Sequence, residues 1–244
     1  MKSIVAMALI LVLLSCNKHK EKQDSGVIKV DYTEKAPLLD GKPTETFWNL
    51  CDWLPLDQNW IGGPYEHGDF NGRYKLAWNE EALYILIEIT DDILLDRTED
   101  PLKLWWNDDC VEIFIDEDNS GGLHQFSHNA FAYHVALDGN VVDLGPDKKP
   151  RLYNDHVSSA HTTEDNLTTW ELAVKVFDDS FMDGTQNTPV SLKPGKKIGF
   201  ALAYCDNDKS TERENFIGSV FVEGEDKNQG WINADIFGTL LLSK

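Results

Sequence analysis

Positive charge is scarce in this chain. Its 244 residues include 22 lysines and arginines against 42 acidic residues, a formal net charge of −20. Nucleic-acid binding rests on cations that neutralise phosphates, so that class of partner is excluded. Polyanionic glycans and anionic membrane surfaces are disfavoured on the same ground, whereas neutral polymers are not. Cysteine is scarce too, with Cys16, Cys51, Cys110 and Cys205 and no C-x-x-C pair. The usual spacing of a zinc or thioredoxin-type site is therefore missing. No long stretch carries a 3.6-residue apolar period, which argues against alternating βαβ units. A H-E-x-x-H pair, a Gly-rich phosphate loop and a Ser–His–Asp signature are also absent.

What is present begins with a leader. Lys2 precedes an uninterrupted apolar run from Ile4 to Leu14. At 1.5 Å per residue this run is too short for a hydrocarbon core of roughly 30 Å, and its length suits a signal-peptide core. It ends in Leu13-Leu14-Ser15-Cys16, which resembles the bacterial lipobox. That resemblance implies a signal peptide over residues 1–16 and a diacylglycerol on Cys16. An ordinary secretory signal is the alternative. Residues 17–26 are Lys-rich and polar and read as a flexible tether. The expected place is the cell envelope, at the outer membrane, held through that lipid. The basic stretch Asn17-Lys18-His19-Lys20 leaves the leaflet open.

Residues 27–244 read as one all-β domain. Arg73–Trp78 alternates, and Leu83–Thr90 is apolar at nearly every position, as for a central strand buried on both faces. Cys110–Asp116 reads as a strand with Glu112 facing away from Val111 and Ile113. Further strands are expected within Gln125–Leu137, closed by the Asp138-Gly139-Asn140 turn, and over Thr168–Val176, Ile198–Tyr204 and Ile236–Leu242. Thr44–Leu50 alone looks helical, with Thr44 as its cap. Many short strands with polar loops imply a single antiparallel β-sandwich, jelly-roll-like. Trp48, Trp78 and Trp170 fall in periodic apolar settings and read as packing. Trp105 and Trp106 stand in a polar loop. On an extended chain one would pack and the other be exposed beside carboxylates, a pairing that suits a sugar ring. Three cysteines follow Cys16, so one disulfide would leave a free thiol; buried free thiols are the expected state of Cys110 and Cys205.

Several blocks together resemble family 9 carbohydrate-binding modules. They are Asp40-Gly41-Lys42 with Phe47-Trp48, Leu76-Ala77-Trp78-Asn79 with Ala82–Ile85, and Trp106-Asn107-Asp108-Asp109-Cys110-Val111-Glu112-Ile113-Phe114-Ile115-Asp116. Gly199-Phe200, Asp206, Trp231 and Phe237-Gly238 continue the match to the end of the chain. The resemblance implies a sandwich that binds sugar and often carries structural calcium. It matches Trp106 to the family's stacking Trp, Glu112 to its sugar-bonding acid and Asp109 to the Asp between them. Gln125, Asn129, Asp206 and Arg213 match further polar contacts. The second stacking Trp is missing, because Ser219 and Val220 occupy its stretch, and Trp231 matches framework.

Asp116 and Asp118, in Asp116–Gly121, offer oxygen ligands at alternate positions for Ca²⁺. The EF-hand pattern fails, with Ser127 at the twelfth position, and a plain turn is an equal reading. His124, His128 and His134 would share a face if the segment were one strand. The expected function is carbohydrate binding by an exported, lipid-anchored module that supports polysaccharide catabolism beside separate glycoside hydrolases. The alternatives are hydrolysis of O-glycosyl bonds by the domain itself, or a structural envelope lipoprotein without a ligand.

Overall fold

A computed structural model describes residues 26–244; the leader, Cys16 and the rest of the tether lie outside the described residues. The strands are β1 (Ile28–Tyr32), β2 (Leu54–Leu56), β3 (Gln58–Ile61), β4 (Phe70–Trp78), β5 (Leu83–Asp91), β6 (Cys110–Asp116) and β7 (Phe131–Ala136). They continue with β8 (Val141–Leu144), β9 (Pro150–Leu152), β10 (Val157–Glu164), β11 (Leu167–Val174), β12 (Lys197–Asp206), β13 (Asn215–Gly218) and β14 (Gly238–Ser243).

One hydrogen-bonded path runs β10-β11-β5-β4-β1-β14-β12-β6-β7-β8-β9. It doubles over into two layers. Phe70 and Tyr74 of β4 meet Tyr204 and Phe200 of β12 at ring distances of 5.6 and 6.2 Å, although β4 and β12 are not neighbours on the path. Between the layers lies the main core, with Leu83, Ile85, Ile87 and Ile89 of β5 opposite Val111, Ile113 and Ile115 of β6. The sandwich is thus as expected, with one departure. β1 runs parallel to both β4 and β14, whereas the other strand pairings are antiparallel.

The outer faces of both layers are also covered. Tyr84 and Leu86 of β5 pack outward under Trp48, so β5 is buried on both faces as its composition requires. On the other layer, Trp60, Phe216 and Val222 cover Cys110, Phe114, Ala201, Ala203 and Cys205. Trp78 and Trp170 are fully buried. The helix expected over Thr44–Leu50 is a single 3₁₀ turn, Thr46–Asn49, preceded by Glu45 without a side-chain cap. Phe47 and Trp48 need only that one turn to reach the sheet.

Candidate functional site

β6 sets the site by parity. Successive side chains on a strand point to opposite faces. Val111, Ile113 and Ile115 enter the core, so Cys110, Glu112 and Phe114 face outward. Above Glu112 the surface opens into a cavity of about 420 Å³, within the range of small-ligand pockets.

Glu112 and Arg213 form the polar floor. Glu112 is 2 % exposed. Its Oε1 lies 2.7 Å from Nε2 of His134 and accepts from Nη1 of Arg213 at 3.0 Å and from the Cys205 thiol at 3.2 Å. Burial pushes this carboxyl up, but His134 and Arg213 outweigh it and hold it below the usual carboxylate range. His134 stands directly opposite Glu112 in the β6–β7 register. Its other ring nitrogen faces the Ala132 carbonyl at 3.2 Å. The Arg213 guanidinium also lies over the Phe216 ring at 4.0 Å. Asp143 joins the lining, pushed up to about 7 by burial, with its oxygens accepting from the amides of Ala132 and Leu144.

The walls are aromatic. Trp105 and Trp106 meet edge to face at 4.7 Å, and both line the cavity half-buried. The alternation expected of them does not apply, because the loop turns here. Leu104 has φ 50 and its carbonyl accepts from the Asn107 amide at 2.8 Å. The opposite wall carries Phe126 and Trp231. Their two loops are zipped together: Ile232 O accepts from the amides of His124 and Gln125, and His124 Nε2 lies 2.7 Å from Gly230 O. Gly230 is pressed on Phe114, where a Cβ would lie 2.7 Å from the ring. Lys148 leans over Phe126 at 5.0 Å and lines the rim.

Of the residues singled out from the sequence, Trp106, Glu112, Gln125 and Arg213 share this cavity. Asp109 and Asp206 do not line it, and one reason covers both. They have the opposite parity to Cys110 and Cys205 and turn toward the interlayer side. Asp109 accepts there from the amides of Leu95 and Asn207 at 2.6 and 2.8 Å. Asn107 and Asp108 are likewise scaffold. Asn107 Oδ1 accepts from the Arg213 amide, and Asp108 accepts from the amides of Arg97 and Thr98. Asn129 is exposed and off the cavity, because the segment before Phe131 is a loop, with Phe126 at φ 60, and not a strand. The same loop separates the histidines: His124 goes to Gly230, His128 to Asp183 and His134 to Glu112.

Asp116 and Asp118 form a turn. Asp116 Oδ2 accepts from Gly121 N, and Asp118 Oδ1 from Ser120 N. A denser oxygen cluster lies where the core-side ends of β5 and β12 converge. Asp91, Asp206 and Asp208 each bring a carboxylate oxygen within 4.8 Å of the others, as do Asp69, Asp92 and Asp208. Oδ1 of Asp206, of Asn207 and of Asp208 are buried without a partner. Burial first, then the charges of neighbouring carboxylates, push Asp206 up to about 8 and Asp91 and Asp208 up to about 6. Orphaned oxygens and crowded carboxylates fit a hard cation such as Ca²⁺.

The sequence profile of the carbohydrate family 9 binding domain-like family matches residues 39–244. The chain belongs to this family. Among similar solved structures is a family 9 carbohydrate-binding module from Caldicellulosiruptor kristjanssonii in complex with cellotriose. It has a TM-score of 0.67 and 21 % identity, with 89 % of this chain and 94 % of that one covered. A second, in complex with glucose, has a TM-score of 0.63 and 18 % identity, over 88 % and 95 % of the two chains. Curated relatives include Exoglucanase XynX of Acetivibrio thermocellus, 24 % identical over 85 % of this chain and 16 % of its own length. Endo-1,4-beta-xylanase C of Paenibacillus barcinonensis is 24 % identical over 86 % and 17 %. This family 9 domain thus spans less than a fifth of those relatives.

Trp231, Phe126, Trp105, His134, Asp143 and Lys148 are cavity residues that sequence reasoning did not assign. Trp231 read as framework because nothing local in the sequence pairs residues 124–125 with residue 232.

Proposed function

We propose that this chain binds the end of a neutral oligosaccharide in the Trp106–Glu112–Trp231 cavity. One observation carries the reading. In a family 9 fold, two aromatic walls flank a carboxylate–guanidinium floor held in place through Glu112 Oε1. Indole faces suit the C–H faces of a pyranose, and the floor offers hydroxyls both acceptors and donors. Trp231 and Phe126 supply the second wall that the expected Trp would have supplied. Cello-oligosaccharides are the first ligands to test, given the complexes of the structural relatives. Titration calorimetry with cellobiose, cellotriose and xylobiose tests the reading. Trp106→Ala and Trp231→Ala should each weaken binding by at least about 30-fold, as for a buried aromatic anchor. Absence of binding to all three sugars, or wild-type affinity in both variants, would overturn it.

A hydrolytic reading has one observation behind it: Glu112 and Asp143 share the cavity with oppositely shifted carboxyls. Both are committed elsewhere, however. Asp143 gives its oxygens to backbone amides, and Glu112 Oε1 already faces three donors. Reducing-end release from any of the same sugars would revive it.

The wider setting is part of the proposal. Lipid on Cys16 would hold the domain at the envelope beside separate glycoside hydrolases. Metabolic labelling with a palmitate analogue that depends on Cys16 checks the anchor. A structural Ca²⁺ would be held by Asp91, Asp206 and Asp208, in place of the Asp116–Asp118 turn.

A further inference from the structure

Beneath the cavity floor two thiols face each other. Cys110 and Cys205 are directly opposed across the β6–β12 ladder. Neither is more than 1 % exposed. Their sulfurs and a Glu112 oxygen all lie within 4.8 Å of one another. Opposed residues of an antiparallel pair have Cα atoms about 4.5 or 5.5 Å apart. Either spacing lies inside the roughly 4.4–6.8 Å that a disulfide spans. The backbone is therefore already in place for a bond, and only the side chains must turn. Cys51 is remote, packed against the outer face of the other layer.

We propose that Cys110 and Cys205 form a cross-strand disulfide, closed by thiol–disulfide exchange during folding, and that its state sets the hydrogen bonding of Glu112. The oxidant is a small disulfide such as oxidised glutathione. One cysteine thiolate attacks it, forming a mixed disulfide and releasing one glutathione thiolate. The second cysteine attacks the mixed disulfide and releases the other. Two electrons pass from the protein thiols to glutathione, whose two thiolates take up the two protons. The protein becomes lighter by two hydrogens.

The surroundings fix when this happens. In the folded dithiol, the Cys205 side chain as hydrogen-bond partner, and then burial, push the Cys110 thiol well above its ordinary range. Exchange needs the thiolate and access, so it belongs to the folding chain, and the closed sheet then seals the product. The same side chains do not make a cation site, because Arg213 Nη1 lies 3.0 Å from both Cys205 Sγ and Glu112 Oε1. The consequence reaches the sugar site. Cys205 donates to Glu112 at 3.2 Å only while it is a thiol. Oxidation removes that donor and leaves the Glu112 carboxylate fewer hydrogen bonds within the protein, so more of its charge is free to accept from a hydroxyl in the cavity. This second half rests on the proposed sugar binding; the first does not.

The test refolds the full chain, carrying Cys16→Ser, from urea with oxidised and reduced glutathione. It then alkylates under denaturing conditions and maps peptides by mass. The expected product has one alkylated cysteine, Cys51, and a linked Cys110–Cys205 peptide, against three alkylated cysteines after reduction. Three alkylated cysteines after oxidative refolding, or a bridge that includes Cys51, overturns the disulfide. Cellobiose titrated into both forms should bind about 2–10-fold more tightly to the oxidised one, the range of one hydrogen bond. Equal affinity overturns the coupling. A mapped bridge with no cellobiose binding in either form leaves the disulfide standing and refutes the sugar reading.

Discussion

Asp206→Asn removes one titrating carboxyl from the crowded group between the two layers, and its effect depends on pH in a calculable way. In the folded chain Asp206 is pushed up to about 8, chiefly by burial and then by Asp91 and Asp69; in an unfolded chain an Asp titrates near 3.9. A carboxyl raised on folding contributes stability that is complete below the unfolded value. That stability is lost as pH rises toward the folded value. Between pH 5 and pH 7 the loss for Asp206 alone integrates to about 2.6 kcal/mol. Asp206 is 2 % exposed, so solvent screens little of this. His156 works in the opposite sense. Burial holds it at about 4, and it returns about 2 kcal/mol over the same range. The decisive quantity is therefore the difference between wild type and variant, in which His156 cancels. At about 2–4 °C per kcal/mol for a domain of this size, wild type in EDTA should lose about 5–10 °C more of its Tm than Asp206→Asn between pH 5 and pH 7. Excess Ca²⁺ should flatten the wild-type profile and do little for the variant. Parallel profiles in EDTA would refute the assignment of the pH penalty to this cluster. Equal Ca²⁺ responses would refute the cation.

Two further outcomes follow from the packing. Arg213→Met strips the Glu112 floor of its guanidinium, with both side chains at most 10 % exposed; urea unfolding should show a loss of about 3 kcal/mol, the lower end for a broken buried pair, since His134 remains. Gly218→Ala places a Cβ inside the indole of Trp60 and should cost about 1–3 kcal/mol by the same measurement, with sugar affinity unchanged in the folded fraction.

The strands of the sandwich were readable because their alternation is written locally. Cys110–Asp116 and Ile198–Tyr204 carry the period on their own residues, and both appear as strands β6 and β12. Trp106, Glu112 and Arg213 were readable through the family resemblance, and they share the cavity. Parity misplaced Asp109 and Asp206. A matched position says which residue is retained, not which way it points, and each stands one place from the outward-facing cysteine. Gln125 and Asn129 were assigned to a strand because Ala130–Val135 alternates and the loop before it happens to continue the rhythm. The zipper between residues 122–125 and 230–234 depends on contacts more than a hundred residues apart. No window of sequence reports such contacts, so the second aromatic wall stayed hidden.

The first strand has a mechanical meaning. β1 is inserted between β4 and β14 and lies parallel to each, with Ile28–Asp31 in register with Leu240–Ser243. A pull on the upstream end of β1, applied along the strand, would enter the domain through both of its ladders. Its ladders on both sides then resist together, in shear, and do not open one bond at a time like a zip. A glycan gripped above β6 and an attachment upstream of β1 would place the two ends of a taut line on the same sheet path, joined through β14 and β12.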